Sequence, residues 1–100
     1  MGNKLEMVLT REEIERITEN LDKRMITVDL HGFKVKSAKR LLMNLMALNR
    51  DGYDIYAIHG YHGGTAIKQM ITNDLSSPRL IEKRKVKRNE GVTILTMHAA

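Results

Sequence analysis

One arrangement occurs twice in this chain: a run of strand-forming residues, a His-Gly pair, an aromatic residue and then a helical pattern. The first copy is Ile26-Thr27-Val28-Asp29-Leu30-His31-Gly32-Phe33, and the second is Ile55-Tyr56-Ala57-Ile58-His59-Gly60-Tyr61. Two such units in succession constrain topology strongly. A strand–helix–strand connection within one sheet is right-handed and leaves its two strands parallel. Parallel strands carry both His-Gly pairs to the same sheet edge, which is where open α/β sheets bind ligands.

The remaining elements follow from periodicity. Residues 25–31 read as a strand with Ile26, Val28 and Leu30 on one side and Thr27, Asp29 and His31 on the other. A helix from Val35 or Ser37 to Asn49 carries a broad apolar face, and Asp51-Gly52 stops it. Residues 54–59 are nearly continuously apolar, as a central, buried strand is. Thr65 is placed to cap a further helix, whose stripe is Ile67, Met70, Ile71 and Leu75. Residues 80–88 and 92–98 read as a hairpin turning at Asn89-Glu90-Gly91. Upstream, Thr10 and Glu13 form a capping box, with Leu9 and Ile14 at the staple positions. The spacing of Ile14, Ile17 and Leu21 predicts a helix over 10–24. The expected fold is therefore α/β, an α+β two-layer sandwich. Two helices cover one face of a four-stranded mixed sheet in the order β-α-β-α-β-β, and residues 1–24 form an extension ahead of a domain over 25–100.

One hundred residues make one domain, and a composition 42% hydrophobic and 29% charged suits a folded globule. No apolar run is long enough to span a bilayer, and Glu6, Arg11, Glu12 and Glu13 interrupt any signal-peptide core. Without cysteine there is neither a disulfide scaffold nor a thiol nucleophile. The expectation is a cytoplasmic monomer with no membrane partner. A net charge of +5 points to an anionic partner such as nucleic acid.

Glycine after a strand permits a tight turn and close approach of a ligand, and a following helix start offers free N–H groups to phosphate. Two ordinary turns would share these properties. Asp29 is more specific, because a carboxylate in an apolar strand must be paired or near water. It lies on the same side as His31. The pair can move protons, with Asp29 orienting the imidazole, or Asp29 can instead accept backbone N–H bonds across the turn. His31 and His59 are candidates for acid and base, for phosphate binding, or for buried structural roles. His59-x-x-His62 with Asp29 and His31 leaves a divalent metal open as a cofactor. Phe33 and Tyr61 either stack on bases or anchor their loops. Lys34 and Lys68 flank the two turns. Lys83, Lys85 and Lys87 share one side of their strand, as a phosphate track or as charges blunting a sheet edge.

Taken together, these residues resemble the Smr (small MutS-related) domain family. Its D-L-H-G motif corresponds to Asp29-Leu30-His31-Gly32, and its H-G-x-G motif begins at His59-Gly60. Its G-[VI]-T run corresponds to Gly91-Val92-Thr93. The likeness covers about residues 25–98 in the right order. It implies a sandwich like the C-terminal domain of translation initiation factor three, in a stand-alone form with a short N-terminal helix. It also implies DNA or RNA binding, with nicking of DNA or cleavage of RNA in several members. Carried over, Asp29, His31 and His59 become catalytic. Gly32 and Gly60 complete the two motifs, and the chemistry of the turns and charges, rather than the resemblance, adds Phe33, Lys34, Tyr61, His62, Gly63, Gly64, Lys68, Lys83, Lys85 and Lys87 as phosphate- or nucleic-acid-binding candidates. The chain departs from the second motif where its final Gly is replaced by His62, followed by Gly63-Gly64. Three readings follow: a nucleic-acid-processing endonuclease, a non-catalytic nucleic-acid-binding module, and a protein-interaction adaptor that docks through the 10–24 helix.

Overall fold

The structure is a computed structural model and describes residues 7–49, 52–60 and 65–98. Helix α1 is Arg11–Glu15, strand β1 Ile17–Asn20, strand β2 Met25–Asp29 and helix α2 Val35–Leu48. Strand β3 is Asp54–Ile58, helix α3 Thr65–Asn73, strand β4 Leu80–Val86 and strand β5 Asn89–Met97. The strands form one mixed sheet in the order β1-β2-β3-β5-β4, in which only β2 and β3 run parallel. The α/β class and the parallel pairing of the two repeated strands are as the sequence implies.

Alternation along the strands separates two sheet faces. Ile26, Val28 and Leu30 lie with Ile55, Ala57 and Leu95 on the covered face, and none is more than 1% exposed. Against them pack Ala38, Leu41, Leu42, Leu45 and Met46 of α2, and Ile67, Met70 and Ile71 of α3. The other face carries Thr27, Tyr56, Ile58, Ile94 and Thr96, all half-buried, with no described helix over it. Arg79 fixes the far end of α2, where its guanidinium donates to the carbonyls of Met46, Ala47 and Asn49 at 2.9, 3.2 and 3.3 Å. A cation there satisfies carbonyls that have no partner within the helix.

Two elements differ from the sequence reading. The expected 10–24 helix starts with the anticipated capping box, but it ends at Glu15. Ile17–Asn20 then pairs antiparallel with Met25–Val28, which makes the sheet five-stranded. The apolar spacing is shared out: Ile17 packs on the core, whereas Leu21 is exposed in the turn. β-branched Ile17 and Thr18 suit a strand as well as a helix, and an open edge of β2 decides between them. The segment is therefore part of the domain rather than an extension, and no docking helix over 10–24 exists. The second difference is at the hairpin, which turns at Lys87-Arg88 rather than at Asn89-Glu90-Gly91, since Val86 pairs with Asn89. Among the described residues no helix is long and apolar enough to cross a membrane.

Candidate nucleic-acid interface

The first turn closes at the end of β2. Leu30 N–H donates to the Ile58 carbonyl at 2.7 Å, continuing the β2–β3 pairing past Asp29. Phe33 N–H then donates back to the Leu30 carbonyl at 3.1 Å, closing a four-residue turn with Gly32 in its third position at φ +81°. A left-handed third residue is what a type II turn requires, which accounts for the glycine of the first motif. Asp29 Oδ1 accepts from the His31 backbone N–H at 3.1 Å and from the His31 ring at Nδ1, 2.8 Å away. Because a carboxylate only accepts, Nδ1 carries a proton, and in the neutral ring Nε2 keeps the lone pair. The His31 side chain is 67% exposed, so that nitrogen faces solvent. Burial pushes the Asp29 carboxyl up. The hydrogen bonds from the His31 ring and backbone, with the charges of His31 and Arg16, outweigh it and hold the carboxyl below its ordinary value.

Arg16, the C-cap of α1 just before β1, steadies this turn and is not evident from the sequence. Its carbonyl accepts from Asp29 N–H at 2.9 Å, and its guanidinium donates to the His31 carbonyl at 3.1 Å. The same guanidinium lies 5.0 Å from the centre of the Phe33 ring, within cation–π range. Phe33 is thus half-buried against the core and beneath Arg16, an anchor of its loop. Beyond it, Lys34 occupies the N-cap of α2 without a side-chain cap bond, and no acidic residue lies in the first turn. Gly32, Phe33, Lys34 and Ser37 line an open cleft of about 430 Å³, shared with Glu13 and with Arg40, which donates to Glu13 at 3.3 Å.

The second turn is built differently. Gly60 is left-handed at φ +85°, and the N–H groups of His59 and Gly60 both donate to the Gly91 carbonyl, at 2.8 and 3.0 Å. A Cβ on Gly91 would lie 3.3 Å from the Gly60 carbonyl carbon, so a side chain there would push the two backbones apart by a few tenths of an ångström. His59 turns inward and is wholly buried. Its Nδ1 donates to the Gly60 carbonyl at 3.2 Å, which leaves Nε2 to accept from the Thr93 hydroxyl at 3.1 Å. Burial lowers its pKa. The Gly60 carbonyl works against that shift, and the charge of Lys68 adds to it. The G-V-T run thereby acquires a physical reading: Gly91 permits the close approach, and Thr93 satisfies the buried imidazole.

The turns meet, with the His31 Cβ 3.9 Å from where a Gly60 side chain would begin. Asp29, His31, Gly32 and Gly60 thus share one sheet edge, with Lys34 at its rim. His59 belongs to that edge through its backbone only, since both ring nitrogens are engaged in the interior and neither is placed to exchange a proton with a ligand. Tyr61, His62, Gly63 and Gly64 lie outside the described residues. Lys83 does not join a phosphate track, because its ammonium donates to the Thr72 carbonyl at the end of α3, 3.1 Å away. Lys85 and Lys87 are exposed. Among the described residues no three His, Asp or Glu side chains gather as a metal site, and His59 has no free nitrogen to offer one. A scan against family models gives no match to this chain, and no curated protein matches it.

Proposed function

We propose that this chain is an Smr-like domain that binds nucleic acid along the edge where its two His-Gly turns meet. The observation that carries this reading is the Asp29–His31 pair. It is an oriented imidazole, exposed to solvent, just ahead of a left-handed glycine and the uncapped start of a 14-residue helix. Free helix N–H groups and Lys34 favour a phosphate beside it. The buried, satisfied state of His59 favours binding over a two-histidine acid–base mechanism. Direct binding to labelled RNA and DNA strands over a salt series is the test. Affinity should fall steeply with salt, and binding that ignores salt would remove the proposal.

A second reading, cleavage of RNA, is favoured by the same 2.8 Å contact. His31 Nε2 would take the proton of a ribose 2′-hydroxyl as the 2′-oxygen–phosphorus bond forms. The phosphorus–5′-oxygen bond breaks, and the departing 5′-oxygen takes its proton from water or from the protonated His31. Incubation of wild type and His31→Ala with structured RNA and supercoiled DNA, with and without EDTA, separates the readings. Loss of product in the variant supports cleavage, and equal degradation by both proteins identifies a contaminant.

A further inference from the structure

The cations of this chain differ in what they touch. Arg40 pairs with Glu13, Arg79 holds the end of α2, Lys83 reaches the Thr72 carbonyl and Arg84 donates to the Thr96 hydroxyl at 3.0 Å. Like those of Lys23, Arg24 and Lys87, the side chains of Lys68, Lys85 and Arg88 have neither an ion pair nor a hydrogen bond among the described residues, and these last three stand together. They come from three places, the first turn of α3, strand β4 and the hairpin turn, yet they line one cleft of about 200 Å³. Asn89 and Val92, on either side of Gly91, line it too, so the cleft lies against the Gly60–Gly91 contact. The charge of Lys68 also disfavours protonation of the His59 ring.

Three like charges facing one carboxylate, Glu90, repel one another unless an anion enters. Arg88 also holds φ at +65°, a conformation that suits Gly or Asn better than an arginine. The other described non-glycine residue of this kind is Arg24, at the opposite end of the sheet. A guanidinium fork with two ammonium groups matches the oxygens of a phosphate group.

We propose that Lys68, Lys85 and Arg88 hold one phosphate of a nucleic-acid strand beside the second turn, while a neighbouring part of that strand lies at Asp29–His31. This rests on the nucleic-acid reading above and adds an anchoring point built by the hairpin. Glu90 opposes the bound phosphate and limits its affinity.

The experiment is fluorescence anisotropy with labelled single strands of about 12 nucleotides, as RNA and as DNA, over a range of KCl. It compares the wild-type chain, a Lys68→Gln/Lys85→Gln/Arg88→Gln variant, a Lys36→Gln/Lys39→Gln variant on the exposed side of α2, and Glu90→Gln. The triple variant should lose about tenfold or more in affinity, and its salt slope should fall by about 0.7, the share of one neutralised phosphate on a single strand. Glu90→Gln should tighten binding, an opposite effect that no loss of folding can mimic. If the triple variant binds like the double variant, or Glu90→Gln weakens binding, the subsite is wrong and nucleic-acid binding stands. If the wild type binds neither strand, the nucleic-acid reading fails and the subsite with it.

Discussion

His31 and His59 are the same residue type at corresponding places in two similar turns, and their surroundings give them opposite chemistry. His31 lies in solvent with Nδ1 tied to Asp29, so its other nitrogen is open. Asp29→Asn removes the charge that selects this tautomer. Long-range proton–nitrogen NMR should show His31 protonated at Nδ1 in the wild type and a shift toward the Nε2–H form in the variant; an unchanged tautomer would mean that Asp29 does not orient the ring. His59 is held neutral in the interior, where its pKa lies below the ordinary 6.5. The unfolded chain therefore takes up a proton first as the solution is acidified. Unfolding free energy should fall below about pH 6.5 and level off once the folded value is passed. Urea titrations at several pH values, compared with His59→Gln, isolate this contribution, and identical pH profiles would rule it out. Thr93→Val keeps the shape but strips the buried Nε2 of its donor. That variant should lose about 1–3 kcal/mol in urea unfolding.

At the scale of elements, the edges of the sheet decide what sequence patterns alone leave open. The two parallel strands and the helices after them are legible because β2 alternates strictly, β3 is nearly continuously apolar and each helix carries an apolar stripe of helical period. Segment 14–21 is ambiguous: Ile14, Ile17 and Leu21 fit a helix, and only the vacant side of β2 recruits Ile17–Asn20 as a strand. The capping box was legible because it is local, and Arg16 was not, because its value arises from the strand pairing that sets it beside Phe33. The same limit applies to His59, whose inward turn depends on Thr93, far along the chain. Removal of β1 by starting the chain at Met25 should expose the β2 edge and take Leu9 and Ile17 from the core. The shortened protein should melt lower and self-associate, as sedimentation and thermal scans would reveal. A monomer of wild-type stability would make β1 dispensable. Gly91→Ala tests the junction between hairpin and second turn. Its Cβ would meet backbone rather than a yielding side chain, so a loss of about 1–3 kcal/mol is expected, with faster exchange of the His59 and Gly60 amides.

Across the whole molecule, the sheet has two ends of different character. At one end stand the C-terminal ends of β2 and β3, the end of β4 and the start of β5, and there the two glycine turns, the α2 start and the cationic cleft of Lys68, Lys85 and Arg88 come together. The opposite end holds the β1–β2 turn, Gly52 and the Arg79 clamp on α2, whose guanidinium is committed to helix carbonyls. Nearest-neighbour cations that are internally engaged contribute little to an outside anion, because their field is already partly offset by the groups they bind. Lys23 and Arg24 stand exposed at that opposite end, but Lys68, Lys85 and Arg88 gather in one cleft beside the two turns, so a polyanion should favour the end of the turns. The half-buried open face, with Tyr56 between Thr27 and Ile94, is the competing surface, since an aromatic residue on an uncovered sheet can stack on bases. Amide chemical-shift changes on titration with a short RNA strand distinguish the two. They should concentrate at His31, Gly32, Lys34, Gly60, Lys68, Arg88 and Val92, and spare Asn20, Arg24 and Gly52. A response centred on Thr27, Tyr56 and Ile94 would move the binding surface to the sheet face and leave the two turns as structural corners.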